Sequence, residues 1–370
     1  MNSKTEDKKM EVIMKRLSLI IMLLISVIAL TACAAKNPEP SGQEVTPEAT
    51  ATVAPTKAVT QEEAPTPTIV PVTKTDIRVA ALKGPTAIGM VKIMEDNLAG
   101  TAANNYEFTI AGAADEISVG LVKGDFDVAA VPCNLAAVLY NKTKGQIKLA
   151  GINTLGVLYI VETGDRIKTV EDLKGKTIYS TGLGTTPQFT LNYLLTAYGI
   201  DPEKDVTIEY KTEATEVAAI LSESDNAVAM LPQPYVTTVM MNNDKVKVAL
   251  DVAKEWEAIS EDGSGVVTGV VVVRSEFLEK NKEAFDAFLT EYTASTAYVN
   301  ENIPEASALV EKFDIFKAAV IQKALPYCNI TMLRGEDMKA KVSGYLSVLY
   351  SQNPQSVGGT LPADDFYYMQ

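Results

Sequence analysis

The sequence predicts an α/β protein built as two similar lobes that face one another across a cleft, and three observations predict it. An apolar strand ending in proline occurs twice in one register: Val128-Ala129-Ala130-Val131-Pro132 after Asp125-Phe126-Asp127, and Val228-Ala229-Met230-Leu231-Pro232 after Ser224-Asp225-Asn226-Ala227. A strand–turn–helix unit recurs at a matching interval, Ile77–Ala81 into Lys83-Gly84-Pro85-Thr86 and Thr177–Ser180 into Gly182-Leu183-Gly184-Thr185-Thr186-Pro187. Through the rest of the body, apolar runs of strand length alternate with segments of helical period, the pattern of a parallel or mixed sheet.

Taken in order, 77–82 reads as a strand and 87–98 as a helix, its apolar face carrying Ile88, Val91, Ile93, Met94 and Leu98. Strands follow at 106–111, 126–131, 147–152 and 156–161, with helices at 116–122 and 135–140. Val170-Glu171-Asp172-Leu173-Lys174-Gly175 lies in a short helix over 166–175. The second round places strands at 177–180, 206–210, 226–231 and 246–251, and helices at 187–198, 213–222 and 234–241. Gly265–Arg274 is a nearly continuous apolar strand, and helices at 276–302, 304–312, 316–325 and 335–350 complete the chain. The chain is therefore expected to leave lobe one near 161–168 and to return near 260–269, a hinge of two crossings. Lobe one would comprise 76–163 plus 266–370, with a helical C-terminal region, and lobe two 164–265.

The N-terminal part carries other signals. Lys15-Arg16 precedes the apolar stretch Leu17–Leu30, which runs into Leu30-Thr31-Ala32-Cys33. About 14 apolar residues are short for a bilayer span, which takes roughly 20. A basic start, a short apolar core and small residues before a cleavage point read as a secretory signal. Leu-Thr-Ala-Cys resembles the bacterial lipobox, whose cysteine becomes a lipidated N-terminus; an uncleaved anchor helix is the alternative. Met14 fits the start of such a signal better than Met1 does. Residues 1–32 are thus expected to be a lipoprotein signal peptide and Cys33 the lipidation site. Residues 33–75 would be a disordered tether, because Pro38, Pro40, Pro47, Pro55, Pro65, Pro67 and Pro71 alternate with Thr, Glu, Ala and Val and no aromatic residue appears. A body leashed in this way sits on the outer face of a bacterial cytoplasmic membrane.

Composition narrows the function classes. The net charge is −14, and the first 32 residues hold five basic and three acidic groups, so the remainder stands near −16. Such a surface argues against nucleic acid or an anionic membrane as partner of the body. The chain has no histidine, which excludes Ser-His-Asp and Cys-His nucleophiles and histidine-ligated metals from its own side chains. After Cys33 only Cys133 and Cys328 remain, without a zinc-site spacing. They read as buried free thiols, or as a disulfide if the C-terminal region packs near the loop after Val131.

The body resembles the type II periplasmic-binding-protein fold, nearest the nitrate/sulfonate/taurine and thiamine-precursor (NMT1/THI5-like) binding-protein group of ABC importers. Lys83-Gly84-Pro85, Gly124-Asp125-Phe126-Asp127-Val128, Val170-Glu171-Asp172-Leu173-Lys174-Gly175-Lys176-Thr177-Ile178 and Pro232-Gln233-Pro234-Tyr235 carry the resemblance, over roughly 76–350. It implies a monomeric binding protein, with no cofactor and no metal, that passes a small molecule to a membrane permease powered by an ATPase. An enzyme on the same fold is the less favoured reading.

In open α/β sheets ligands sit beyond the carboxyl ends of the strands, and four loops qualify. Lobe one supplies Lys83, Gly84, Pro85, Thr86, Cys133 and Asn134; lobe two supplies Thr181, Gly182, Gly184, Thr185, Thr186, Gln233 and Tyr235. The Gly182–Thr186 turn is the candidate anion cradle, with small residues and a helix start whose N–H groups and dipole attract an oxyanion. A plain strand-to-helix turn capped by Thr185 or Thr186 is the alternative. Asn134 reads as a ligand contact or as the N-cap of the helix at Leu135, and Gln233 as a contact or a solvated turn residue. Tyr235 and Phe189 read as contacts or core. Trp256, the sole tryptophan, either stacks on a planar ligand or packs the hinge. Lys83 either pairs with an anionic ligand or is simply exposed. No arginine lies in the four loops, which disfavours a bidentate clamp on an amino-acid carboxylate. The ligand expected is a small organic anion such as an alkylsulfonate, or an aromatic heterocycle such as a thiamine-precursor pyrimidine.

Overall fold

The computed structural model describes residues 74–260 and 264–369. The signal peptide, Cys33 and nearly all of the tether lie outside the described residues. Two sheets organise the body. In the first, β1 (Asp76–Leu82) pairs in parallel with β2 (Asn105–Ala111) and β3 (Val128–Pro132). Antiparallel to these, β10 (Val267–Arg274) runs between β3 and β4 (Ile147–Leu155), and β11 (Ile330–Leu333) forms the edge beyond β4. The second sheet has order β7-β6-β8-β5-β9. Here β6 (Thr177–Thr181) pairs in parallel with β7 (Thr207–Lys211) and β8 (Val228–Pro232). Antiparallel to them, β5 (Leu158–Thr163) runs between β8 and β9 (Val246–Asp251).

The doubled strand of the sequence is thus β3 in one sheet and β8 in the other, in equivalent positions. Each sheet also receives one strand from the point where the chain changes lobes. This moves a boundary. The strand expected at 156–161 was assigned to lobe one, but β5 hydrogen-bonds to β8 and β9 and belongs to lobe two. The first crossing is therefore at Gly156-Val157, not at 161–168, and β10 marks the return from Val267. The reason is burial: β5 is enclosed on both faces, and an apolar run buried on both sides does not announce which sheet owns it.

Helices cover both sheets. The one expected over 87–98 is two, α1 (Pro85–Ile88) and α2 (Val91–Leu98), separated where Gly89 packs against Ile330, Thr296 and Tyr292. The segment at 166–175 forms only a 3-10 turn, Val170–Leu173, because the carboxylates of Glu162 and Asp172 accept from the N–H groups of Arg166, Ile167, Lys168 and Thr169 and hold the approach out of a helix. Strand-following helices α3 (Ala114–Lys123), α4 (Cys133–Lys142), α5 (Thr186–Ala197), α6 (Ala214–Glu223) and α7 (Tyr235–Asn242) appear where expected. A further helix, α8 (Val252–Ile259), was not anticipated; Asp251 caps it through Ala253 N–H at 3.1 Å.

The remainder contains α9 (Ser275–Lys280), α10 (Lys282–Glu301), α11 (Ile303–Lys312), α12 (Ala318–Ala324) and α13 (Gly335–Gln352). Phe285, Phe288, Leu289 and Tyr292 of α10 fill the core on one face of the first sheet. Met338, Val342, Tyr345 and Leu346 of α13 fill the other. Both Cys133 and Cys328 are buried free thiols, so no disulfide joins them. Among the described residues, no helix is long and apolar enough to cross a membrane.

Candidate functional site

Between the sheets, the strand-end loops enclose a cavity of about 500 Å³ with walls from both lobes, within the range of small-molecule sites. A second depression, about 450 Å³, lies over Ser222–Asp225 and Met240–Lys245 of lobe two alone. That one sits at the opposite ends of the strands, before β8 and β9, so the interlobe cavity is the candidate.

Lobe one contributes the β1–α1 loop. Lys83, Gly84, Pro85 and Thr86 all stand on the wall. Gly84 has φ 142°, a backbone state that L side chains rarely adopt. Thr86 is held from two sides: its hydroxyl donates to Leu82 O at 2.6 Å, and the fully buried Tyr292 hydroxyl donates to Thr86 O at 3.0 Å. Gly269 leaves the room for this, since a Cβ there would come within 2.9 Å of Thr86 and 2.5 Å of Asn153. Lys83 is exposed, with its ammonium 6.0 Å from the centre of the Phe316 ring and no carboxylate partner among the described residues.

Lobe two contributes Thr181, Gly182, Thr185, Thr186 and Tyr235. Gly182 has φ 75°, and a Cβ on it would meet Thr185 Oγ1 at 2.6 Å and the Pro187 ring at 2.7 Å. Thr185 occupies the N-cap position of α5, but its hydroxyl donates to Gly182 O at 2.9 Å instead of capping. The first turn of α5, with Pro187 in it, therefore has no side-chain cap, nor has that of α3 across the cleft. The positive ends of both helices border the cavity. Tyr235 packs edge-on against Phe316 at 5.0 Å, and desolvation pushes its phenol up to about 12.

The other candidates are placed elsewhere. Asn134 is fully buried between the lobes: its amide donates to Gly184 O at 3.2 Å and to Ser356 O at 3.0 Å, and its Oδ1 accepts from the Thr186 hydroxyl at 3.3 Å. It does not line the cavity, and it is not an N-cap either, because α4 begins at Cys133 after Pro132. Gly184 accepts that bond and gives its N–H to Gln188 Oε1 at 2.6 Å. Cys133 lies wholly in the core beside β10, where burial raises its thiol pKa. Gln233 is buried, its Oε1 accepting from Thr237 N–H and hydroxyl at 3.2 and 2.9 Å. Trp256 packs the hinge: its indole donates to Ser264 Oγ at 3.3 Å, with Tyr193 and Tyr345 rings at 4.2 and 5.3 Å. Phe189 is a partly buried member of the same cluster.

Two stretches of the wall were missed, Gly112–Asp115 after β2 and Lys211–Thr215 from the end of β7 onward. They are equivalent positions of the repeat. Applying the hundred-residue interval to the second strand of each lobe, and not only to the first and third, would have found them. They bring Asp115, Lys211 and Glu213 to the cavity. Lys211 is paired with Glu209 at 3.0 Å, and Glu213 caps α6 in a capping box with Glu216. Among the described residues, no group of three or more His, Cys, Asp or Glu is placed to hold a metal.

Comparison with known proteins gives the fold its relatives. Residues 146–306 match the family model described as NMT1/THI5 like. No curated protein matches the chain. An ABC transporter protein from Parabacteroides distasonis is 26% identical and superposes with a TM-score of 0.66, covering 80% of this chain and 100% of that one. The ligand-binding component of an ABC-type import system from Staphylococcus aureus, solved with zinc bound, is 18% identical with a TM-score of 0.63, over 80% and 97% of the two chains. The periplasmic aliphatic sulphonate-binding protein SsuA from Escherichia coli is 17% identical with a TM-score of 0.61, over 77% and 90%. The body described above has the type II periplasmic-binding-protein fold, and over residues 146–306 the chain resembles the NMT1/THI5-like group.

Proposed function

We propose that this chain is the solute-binding component of an ABC importer, which captures a small organic ligand in the interlobe cleft and presents it to a permease driven by an ATPase. The observation that carries the reading is a cavity of about 500 Å³ whose wall is shared between two lobes joined by two crossings. A ligand touching both walls stabilises the closed arrangement, and only its differential affinity for that arrangement shifts the population. The absence of histidine and the similarity to import components support binding over catalysis.

For the ligand, a small organic anion such as an alkylsulfonate is the first reading. The uncapped start of α5 supports it, as does Lys83, which has no carboxylate partner among the described residues. An aromatic heterocycle such as a thiamine-precursor pyrimidine is the second, favoured by Tyr210 and Tyr235 on the wall and by the NMT1/THI5-like match. In the cell, the protein would be a monomer tethered to the outer face of the cytoplasmic membrane through lipid on Cys33, after loss of residues 1–32.

The test is native mass spectrometry of the purified protein, joined to small-angle scattering with and without the compound identified. A retained small molecule, and a smaller radius of gyration on adding it back, are expected. A bare protein that neither compacts nor gains thermal stability across a broad panel of small molecules would remove the reading. Turnover of a panel compound would turn it toward an enzyme.

A further inference from the structure

A four-residue helix carries part of the cleft wall, and its own backbone is not enough to hold it. This is α1 (Pro85–Ile88), where Pro85 and Thr86 stand on the wall beside Lys83 and Gly84. So short a helix has no later turn to bond its own carbonyls. Two hydroxyls of α10, three residues apart on one face, reach over instead. Tyr292 donates to Thr86 O at 3.0 Å, and Ser295 donates to Gly89 O at 2.6 Å.

Tyr292 is itself held from β4. A phenol has one hydrogen to give, and here it goes to Thr86 O. The Asn153 amide that meets the phenol oxygen must therefore present its N–H, and Asn153 Nδ2 donates to it at 3.0 Å. That leaves Asn153 Oδ1 facing Gly269, where a Cβ would come within 2.5 Å of it and within 2.9 Å of Thr86 Cγ2. Asn153 Oδ1 has no hydrogen-bond partner among the described residues, so the amide is oriented through its Nδ2. Asn153 is 1% exposed and Tyr292 fully buried, which keeps water from competing for the chain. Burial also raises the Tyr292 phenol pKa, so its hydrogen stays in place.

Asn153 and Gly269 stand beside the two places where the chain changes lobes. Asn153 is third from last in β4, which runs into the crossing at Gly156-Val157, and Gly269 is third in β10, which returns. These strands pair with each other there, Gly269 opposite Thr154. The β1–α1 loop thus leans on both crossing strands. We infer that Asn153 and Tyr292 are positioning residues of the ligand site: their buried chain fixes the β1–α1 loop on the strands of the hinge, so the lobe-one wall stands in place before a ligand arrives. The inference rests on the solute-binding reading above and adds residues that touch no ligand. A loop ordered in advance adds no ordering cost to binding. Without the chain, binding has to order the loop, and affinity falls by that cost.

The experiment compares Tyr292→Phe and Asn153→Asp with Thr163→Val. Tyr292→Phe keeps the ring and removes the donor. Asn153→Asp keeps the shape but puts an acceptor where the amide donated, so it draws the phenolic hydrogen away from Thr86. Thr163→Val is the control: its hydroxyl oxygen accepts from Ala227 N–H at 2.7 Å, fully buried at the end of β5 remote from the cleft. In ligand-free protein, hydrogen exchange is read at the amides of Ala87, Ile88, Gly89 and Met90, which bond within the loop. It should speed roughly tenfold in the first two variants and stay unchanged in the control. Affinity for butane-1-sulfonate, by calorimetry, should fall roughly tenfold in the same two and hold in Thr163→Val, although all three melt lower than the wild type. Unchanged exchange at the four amides overturns the inference. So does full affinity in both loop variants, or an equal loss of affinity in the control. Should Asn153→Asp fail to fold, Tyr292→Phe decides. Hydroxymethylpyrimidine replaces the sulfonate as probe if the wild type binds only that, and the exchange measurement needs neither. A wild type that carries no occupant in native mass spectrometry and compacts with no compound removes the solute-binding reading; faster exchange at the four amides would still show the chain setting the loop.

Discussion

Asn134 and Trp256 show how a residue's chemistry can be legible while its role is not. Asn134 has the donors and acceptor suited to a ligand, and it spends them on Gly184, Ser356 and Thr186. Asn134→Ala should therefore lower the stability of ligand-free protein by roughly 1–3 kcal/mol in urea unfolding, since it strands the buried Ser356 carbonyl and removes the tie to Gly184. Trp256 is fully buried against Tyr193 and Tyr345. Trp256→Ala should cost about 3–5 kcal/mol through the cavity it leaves, whereas a stacking platform on the cleft wall would alter affinity at little cost to folding. Neither outcome was readable from sequence. Both residue types serve ligands and packing equally well, and for Asn134 the choice depends on neighbours 50 and 222 positions away.

At the scale of elements, the glycine turn between β6 and α5 makes the clearest demand on sequence. Gly182 takes φ 75° with Thr185 and Pro187 pressed against the place of its missing Cβ. Gly182→Ala should destabilise the protein by more than about 1 kcal/mol. It should also weaken ligand binding, read by calorimetry with the compound found on the protein, because the turn sets the position of the uncapped first turn of α5. Strand and helix periodicity located nearly every element of the two repeats. It failed where packing overrode it: at Gly89, where a helix is divided by contact with α10 and β11, and at Val170–Leu173, where Glu162 takes the N–H groups of the residues before it. It also passed over β11, whose four residues are too few to show a period.

Across the whole molecule, the lobes are held together by more than the two crossings. Asn134 joins them through Gly184, and Phe316 joins them against Tyr235. Closure and opening must therefore work through these contacts as well as the hinge. Buried tyrosines give the assembly a pH limit. Desolvation pushes Tyr159, Tyr210 and Tyr235 up to about 12 from an ordinary 10. A folded-state value above the unfolded one means the stability is fully present below pH 10 and is lost as pH rises from 10 to 12. Urea midpoints should thus be insensitive to these groups from pH 7 to 9 and fall steeply beyond 10. A midpoint that held level to pH 12 would contradict their burial.

By itself, the sequence determined that the body is a doubled α/β unit with strand-end loops facing a common space. Periodicity and the recurrence at 128 and 228 are local properties of the chain. Only the tertiary structure decided which sheet owns β5, which candidate residues reach the cavity and which lock the lobes together. Those outcomes are set by pairing and packing between segments far apart in the chain, and a strand buried on both faces carries no mark of its partners.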